Sequence, residues 1–217
     1  TDAGFSIVSY TSTGTNADTV GHGLSQAPDM IIVKDRDGSI DWVVYNSLSG
    51  NTKNLRLNLT DADATESNVW NNTSPTASVF SLGVNNVVNS GSNHNYIAYC
   101  FHSVDGYSKV GSYTGNASTD GTFVYTGFRP ALVIIKPSSR SGNWMMSNNE
   151  SSPYNVVDKV IFANDSAAEY TDPAADCKID YLSNGFKPRT ADDNSNDDET
   201  YIYIAFAETP FKYSNAR

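Results

Sequence analysis

The chain is written twice, and that constrains its fold more than any other feature. Gly4-Phe5-Ser6-Ile7-Val8-Ser9-Tyr10-Thr11 meets Gly106-Tyr107-Ser108-Lys109-Val110-Gly111-Ser112-Tyr113-Thr114, and one inserted residue moves the tyrosine offset from 102 to 103. Ala27-Pro28-Asp29-Met30-Ile31-Ile32-Val33-Lys34 meets Arg129-Pro130-Ala131-Leu132-Val133-Ile134-Ile135-Lys136 at 102. Trp42 then meets Trp144, and Gly83 meets Gly185, at the same offset. Tyr96-Ile97-Ala98-Tyr99-Cys100-Phe101 meets Tyr201-Ile202-Tyr203-Ile204-Ala205-Phe206 at 105. Anchors in one order at nearly constant spacing read as a tandem duplication, with a period too long for a solenoid.

Each half has the size of one small β domain. The boundary falls at Ser103 to Gly106, which divides the chain into residues 1–105 and 106–217. A junction this short predicts two packed domains. Met30–Val33 and Leu132–Ile135 are continuous apolar runs, as in strands of a sandwich core. Turn chemistry follows at Asp35 to Gly38 and at Ser138 to Gly142, and Trp42–Tyr45 and Trp144–Met146 return as hairpin partners. Leu55–Leu59, Val79–Gly83, Ile179–Leu182 and Thr200–Phe206 read as further strands. No window carries a helical stripe. The expected fold is all-β: two tandem, internally duplicated antiparallel β-sandwich domains of jelly-roll type, packed together.

Composition agrees. Of the 217 residues, 18% are charged and 12% aromatic, which suits polar turns between aromatic strands. A net charge of −10 argues against a nucleic-acid partner, which usually requires a basic footprint. No apolar run reaches the ~18 residues of a membrane helix, so no membrane insertion is expected. Thr1-Asp2-Ala3-Gly4 does not open a signal peptide. Two cysteines, Cys100 and Cys177, are too few for a disulfide scaffold and are expected as free thiols.

Little in the chain points to catalysis. His22, His94 and His102 lack metal-ligand spacing and read as surface or turn residues. There is no nucleophile elbow and no phosphate loop. Asp35, Asp37, Asp41, Asp61, Asp63, Glu66, Asp158, Glu169 and Glu208 lie outside apolar surroundings that would make one of them a general acid. The expectation is a protein that is not an enzyme and needs no cofactor, with calcium as the one plausible ion. Asp35, Asp37 and Asp41 alternate as in part of an acidic loop but lack a terminal bidentate Glu. Asp192, Asp193, Asp197 and Asp198 crowd one segment and repel unless hydrated or ion-bound; a solvated hairpin tip is the simpler reading.

Sugar binding would use exposed aromatics with Asn, Asp and Ser. Trp42 and Trp144 recur in both halves and read as core. Trp70, followed by Asn71 and Asn72, has no counterpart and is the better candidate contact, although Trp is usually well buried. Sequons at Asn58, Asn71, Asn72, Asn116, Asn149 and Asn164 follow from composition.

With the repeat laid out, the chain resembles a domain family of uncharacterised function from marine bacteriophages and related viral sequences. The resemblance rests on Gly4–Thr11, Val20-Gly21-His22-Gly23-Leu24, Ala27–Lys34, Tyr96–Phe101, Gly111–Asn116, Tyr125-Thr126-Gly127-Phe128-Arg129-Pro130, Ser183–Lys187 and the close from Ala205 to Arg217. It covers essentially the whole chain. Such domains sit at the end of phage structural proteins, often behind a laminin-G or concanavalin-like sandwich. The resemblance implies a tail-fibre-type virion appendage that recognises host cell-surface glycan. The alternative is a purely structural virion protein (fibre shaft, capsid decoration or assembly module), and a polysaccharide depolymerase ranks last. It further implies location in the virion and a homo-oligomer, a trimer by analogy with phage fibres. It carries no catalytic residues over.

Overall fold

The computed structural model describes residues 3–171 and 177–210. The end of the resembling C-terminal segment, from Phe211 to Arg217, lies outside the described residues. The protein is all-β, with no helix among the described residues and several antiparallel sheets in a sandwich-like arrangement. It divides into two compact units, Thr1–His102 and Ser103–Arg217.

The first unit holds β1 (Phe5–Thr11), β2 (Asp18–Gly21), β3 (Met30–Asp35), β4 (Val43–Asn46), β5 (Lys53–Arg56), β6 (Ala64–Thr65), β7 (Val79–Leu82) and β8 (Asn95–Phe101). Six of them form one sheet in the order β1-β8-β3-β4-β5-β6, and β2 pairs with β7. The second unit holds β9 (Ser108–Thr114), β10 (Val124–Tyr125), β11 (Pro130–Pro137), β12 (Met145–Asn148), β13 (Lys159–Phe162), β14 (Tyr170–Thr171), β15 (Ile179–Leu182), β16 (Gly185–Pro188) and β17 (Thr200–Ala207). Its large sheet runs β9-β17-β11-β12-β13-β14, and its small one β10-β16-β15. The two large sheets therefore share one strand order.

Each core fills the space between the large and the small sheet. In the first unit Ile31, Val33, Val43, Tyr45, Tyr96, Ala98 and Cys100 meet Val20, Phe80 and Leu82. In the second, Val133, Ile135, Met145, Tyr201, Tyr203 and Ala205 meet Val124, Tyr181 and Phe186. Alternation along β8 and β17 defines two faces but not which one is inside. The inner face carries Tyr96 of β8 and Tyr201 and Tyr203 of β17, whose hydroxyls each find a backbone partner, while Tyr99 lies on the outer face. Tyr96 Oη donates to the Asn86 carbonyl at 2.6 Å, and Tyr201 Oη to that of Asp193 at 3.0 Å. Tyr10 stacks on Tyr96 at 5.2 Å, as Tyr113 does on Tyr201 at 5.1 Å. Cys100 and Cys177 are free and buried, and burial pushes the Cys100 thiol up to about 12.

Several local expectations shift. The strand expected through Leu59 ends at Arg56, because Asn58 turns back and its side-chain oxygen accepts the Trp42 N–H at 2.9 Å. Asn164 does the same for Trp144 at 2.7 Å. Trp144 is buried, whereas Trp42 lies half-buried with its ring stacked 6.3 Å from Tyr99. Gly83 and Gly185, matched by offset, are not structurally equivalent: Gly83 follows β7 and Gly185 opens β16. Phe80 and Phe186 share a place instead, edge-on to Tyr10 at 6.2 Å and to Tyr113 at 5.8 Å.

Candidate functional site

The sandwich of the second unit opens between β9 and β10, at the edges of its two sheets. A cleft of about 180 Å³ lies there. Asp105 enters it from the β8–β9 turn, Lys109 from β9, and Tyr125, Thr126 and Gly127 from β10 and the loop after it. The turn carrying Asp105 is tied down: Val104 and Ser108 exchange backbone bonds at 3.0 and 2.9 Å, and the Val110 N–H donates to Ser103 Oγ at 3.0 Å. The Asn184 carbonyl accepts the N–H groups of Thr126 and Gly127 at 3.0 and 3.2 Å. Gly127 has φ +90°, a region that L side chains avoid. This backbone leaves the Tyr125 ring 64% exposed.

Asp105 and Lys109 are exposed, and neither forms an ion pair among the described residues. The cleft thus offers an apolar plate, a carboxylate that accepts hydrogen bonds and an ammonium that donates them. That set can bind a polyhydroxylated ring.

The corresponding place in the first unit is shut. Ser6 lies opposite Cys100 as Lys109 lies opposite Ala205, and Ser6 Oγ donates to the His22 carbonyl. His22 is fully buried rather than at the surface: its Nδ1 accepts the Leu24 N–H at 3.1 Å and its Nε2 faces the Thr76 carbonyl at 3.0 Å. In the second unit Thr126 fills the His22 place and Tyr125 that of Gly21. The legible signals for the cleft were the residue inserted before Tyr113 and the Tyr-for-Gly exchange.

The residues singled out in the sequence lie elsewhere. Trp70 is 1% exposed and packs edge-on to Tyr45 at 5.6 Å, which corrects its reading as an exposed contact. Burial of its large apolar ring in the core outweighs the lack of a partner for its N–H. Asn71 and Asn72 follow it in a turn with φ of 51° and 50°.

Asp35 is fully buried. Its Oδ2 lies 2.8 Å from His94 Nδ1, and its Oδ1 accepts the Asp37 and Gly38 N–H groups at 2.9 and 3.0 Å. Burial by itself would push this carboxyl up, but those hydrogen bonds hold it below the usual range. Asp37 accepts two bonds from Asn95 at 2.7 and 2.8 Å, and Asp41 accepts from Asn58 at 2.8 Å. In the second acidic segment Arg140 supplies the countercharge, to Asp197 at 2.7 Å and Asp193 at 3.0 Å. Asp192 Oδ1 accepts the Asn194 N–H at 2.8 Å, and Asp198 is exposed. Among the described residues no three His, Cys, Asp or Glu side chains converge as metal ligands.

One pair of residues escaped the sequence reading. Asn89 and Asn196, at 1% and 0% exposure, each pin the loop leaving the first strand of their unit to the loop entering the last. Asn89 Oδ1 accepts the Thr13 and Gly14 N–H groups at 3.0 and 2.9 Å, and its Nδ2 donates to the Thr15 and Gly83 carbonyls at 2.8 and 3.0 Å. Asn196 Nδ2 donates to Asn116 Oδ1, Ser118 O and Thr190 O at 2.9, 2.7 and 2.8 Å. In a chain rich in asparagine, composition hides these two.

A family model described as a domain of unknown function, DUF7483, matches residues 1–210. The chain belongs to this family. The DUF7483 match runs through both units, so the family is defined on the pair. No characterised protein and no solved structure matches the chain.

Proposed function

We propose that this DUF7483 protein is a non-enzymatic, oligomeric appendage of a phage virion that holds host cell-surface glycan in the β9–β10 cleft. The observation that carries the binding part is the exposed Tyr125 ring flanked by the unpaired Asp105 and Lys109. A pyranose would lay its apolar face on the ring while its hydroxyls donate to the carboxylate and accept from the ammonium. The virion part draws on the resemblance of the repeat strings to phage structural proteins.

A purely structural virion role is the second reading. It draws on the half-buried aromatic outer face of the first unit, where Phe5 lies 4.8 Å from Phe101 and Trp42 lies 6.3 Å from Tyr99.

Retention of fluorescently labelled protein on washed host and non-host bacteria, with and without calcium, tests the binding role. The expected result is host-selective retention, competed away by free surface polysaccharide and reduced about tenfold or more by Tyr125→Ala, as for loss of a central aromatic contact. Absence of retention on a susceptible host refutes the binding role and leaves the structural one.

A further inference from the structure

Behind the cleft, two neighbouring strands exchange bulk. In the second unit Gly111 of β9 lies opposite Tyr203 of β17, and in the first Val8 of β1 lies opposite Ala98 of β8. The two pairs are equivalent, since each sits two positions from its stacked tyrosines, Tyr113–Tyr201 and Tyr10–Tyr96. The side chain has left the edge strand and become a ring on the inner one. A Cβ on Gly111 would stand 2.5–2.7 Å from the Tyr203 ring and its hydroxyl oxygen. The ring therefore crosses β9 where glycine leaves room, an aromatic covering an edge-strand glycine. It is boxed in place: Tyr203 is 3% exposed, Phe186 meets it edge-on at 5.3 Å and Tyr113 lies at 6.3 Å.

The hydroxyl of that ring ends at the other sheet. The Thr126 N–H donates to the Asn184 carbonyl at 3.0 Å. Bonds of an antiparallel pair fall on alternate residues, so Tyr125 turns its carbonyl away from β16, on the free edge of β10. Tyr203 Oη donates to that carbonyl at 3.4 Å, a long contact that sets spacing more than it adds strength. Burial pushes the Tyr203 phenol up to about 12, so the hydroxyl keeps its proton at neutral pH. In the first unit Ala98 ends at its methyl group, and the two sheet edges meet through Ser6 Oγ and the His22 carbonyl instead.

We propose that Tyr203 is the positioning residue of the cleft, with Gly111 as the space it needs. The ring props the free edge of β10 away from β9, and the hydroxyl fixes the Tyr125 carbonyl so that the Tyr125 ring faces solvent beside Asp105 and Lys109. This role in recognition rests on the cleft being the glycan site. Val8 and Ala98 are the closed form of the same position, and Gly111→Val with Tyr203→Ala rebuilds it.

Thermal unfolding, amide exchange resolved by peptide and titration with surface polysaccharide purified from a susceptible host test this on the full chain. Gly111→Val alone should lower Tm by roughly 5–20 °C, because the added side chain overpacks a boxed ring. On the Tyr203→Ala background the same change should raise Tm, since valine fills space that the ring has left. Tyr203→Phe keeps the ring and loses only the hydroxyl. Exchange in the peptide over Thr126 and Gly127 should then quicken several-fold while β17 stays protected, and polysaccharide affinity should fall several-fold. The folded double variant should bind about tenfold or more weakly. Should a valine variant fail to fold, Tyr203→Phe decides. A double variant that binds like the native chain, a Gly111→Val loss of the same size on both backgrounds, or unchanged exchange over Thr126 and Gly127 in Tyr203→Phe overturns the proposal. If the native chain binds no polysaccharide, the glycan role falls, and the Tm sign change and the exchange decide whether Tyr203 props the cleft.

Discussion

Replacing Asn89 with alanine removes four hydrogen bonds of 2.8–3.0 Å at a site that is 1% exposed. Each such bond contributes about 1 kcal/mol net, and a buried group left without a partner costs about 1–3 kcal/mol. The Thr13 and Gly14 N–H groups lie in a part-buried loop where water can replace the amide oxygen, whereas the bond to the Gly83 carbonyl is buried. The expected loss is therefore about 2–4 kcal/mol. For a unit of this size that corresponds to a fall in Tm of roughly 10–25 °C. Calorimetry measures the loss, and amide exchange resolved by peptide places it in the β1–β2 and β7–β8 loops. Asn89→Asp separates the two halves of the argument: it keeps the acceptor for Thr13 and Gly14 but turns a carboxylate onto two carbonyls. It should destabilise at neutral pH and recover in part on acidification. A loss below about 1 kcal/mol for Asn89→Ala, with exchange unchanged in those loops, would refute the pinning role.

Trp70→Ala should cost about 3–5 kcal/mol by emptying the first core, while Trp70→Phe costs less because the indole N–H has no partner there; thermal unfolding of both variants checks the order. The Asp35 carboxyl is held below its usual range, so its contribution is complete above the unfolded value of about 3.9 and is lost as pH falls through the lower folded value. Asp35→Asn, measured by urea unfolding across the acid range, should flatten that limb of the stability profile; an unchanged slope would show that Asp35 does not contribute to it.

The class of the fold was legible because strand periodicity and turn residues are local properties. The apolar runs at Met30–Val33 and Leu132–Ile135, the hairpin returns after them and the long alternations ending near Phe101 and Phe206 all appear as strands. Strand ends were less legible, since Asn58 stops β5 through a bond to a neighbouring strand that the local pattern does not encode. Trp70 was misread for a related reason: lack of a counterpart says nothing about burial, and only the packing of Tyr45 and its neighbours around it decides that. The acidic segments show composition without connectivity. Their carboxylates are met by the His94 ring and the Arg140 guanidinium, which are remote in sequence.

By itself the sequence determined an all-β chain whose strings recur in order along its two halves. Tertiary structure decided which face of β8 and β17 lies inside, because the buried Tyr96 and Tyr201 hydroxyls each meet a backbone carbonyl from a loop outside the strand. It also decided where the sandwich opens. One inserted residue ahead of β9 and the change from Gly21 to Tyr125 leave the cleft in the second unit, while Ser6 and His22 close the first. A strand carries its periodicity in its own residues, but the neighbour that covers it comes from distant parts of the chain.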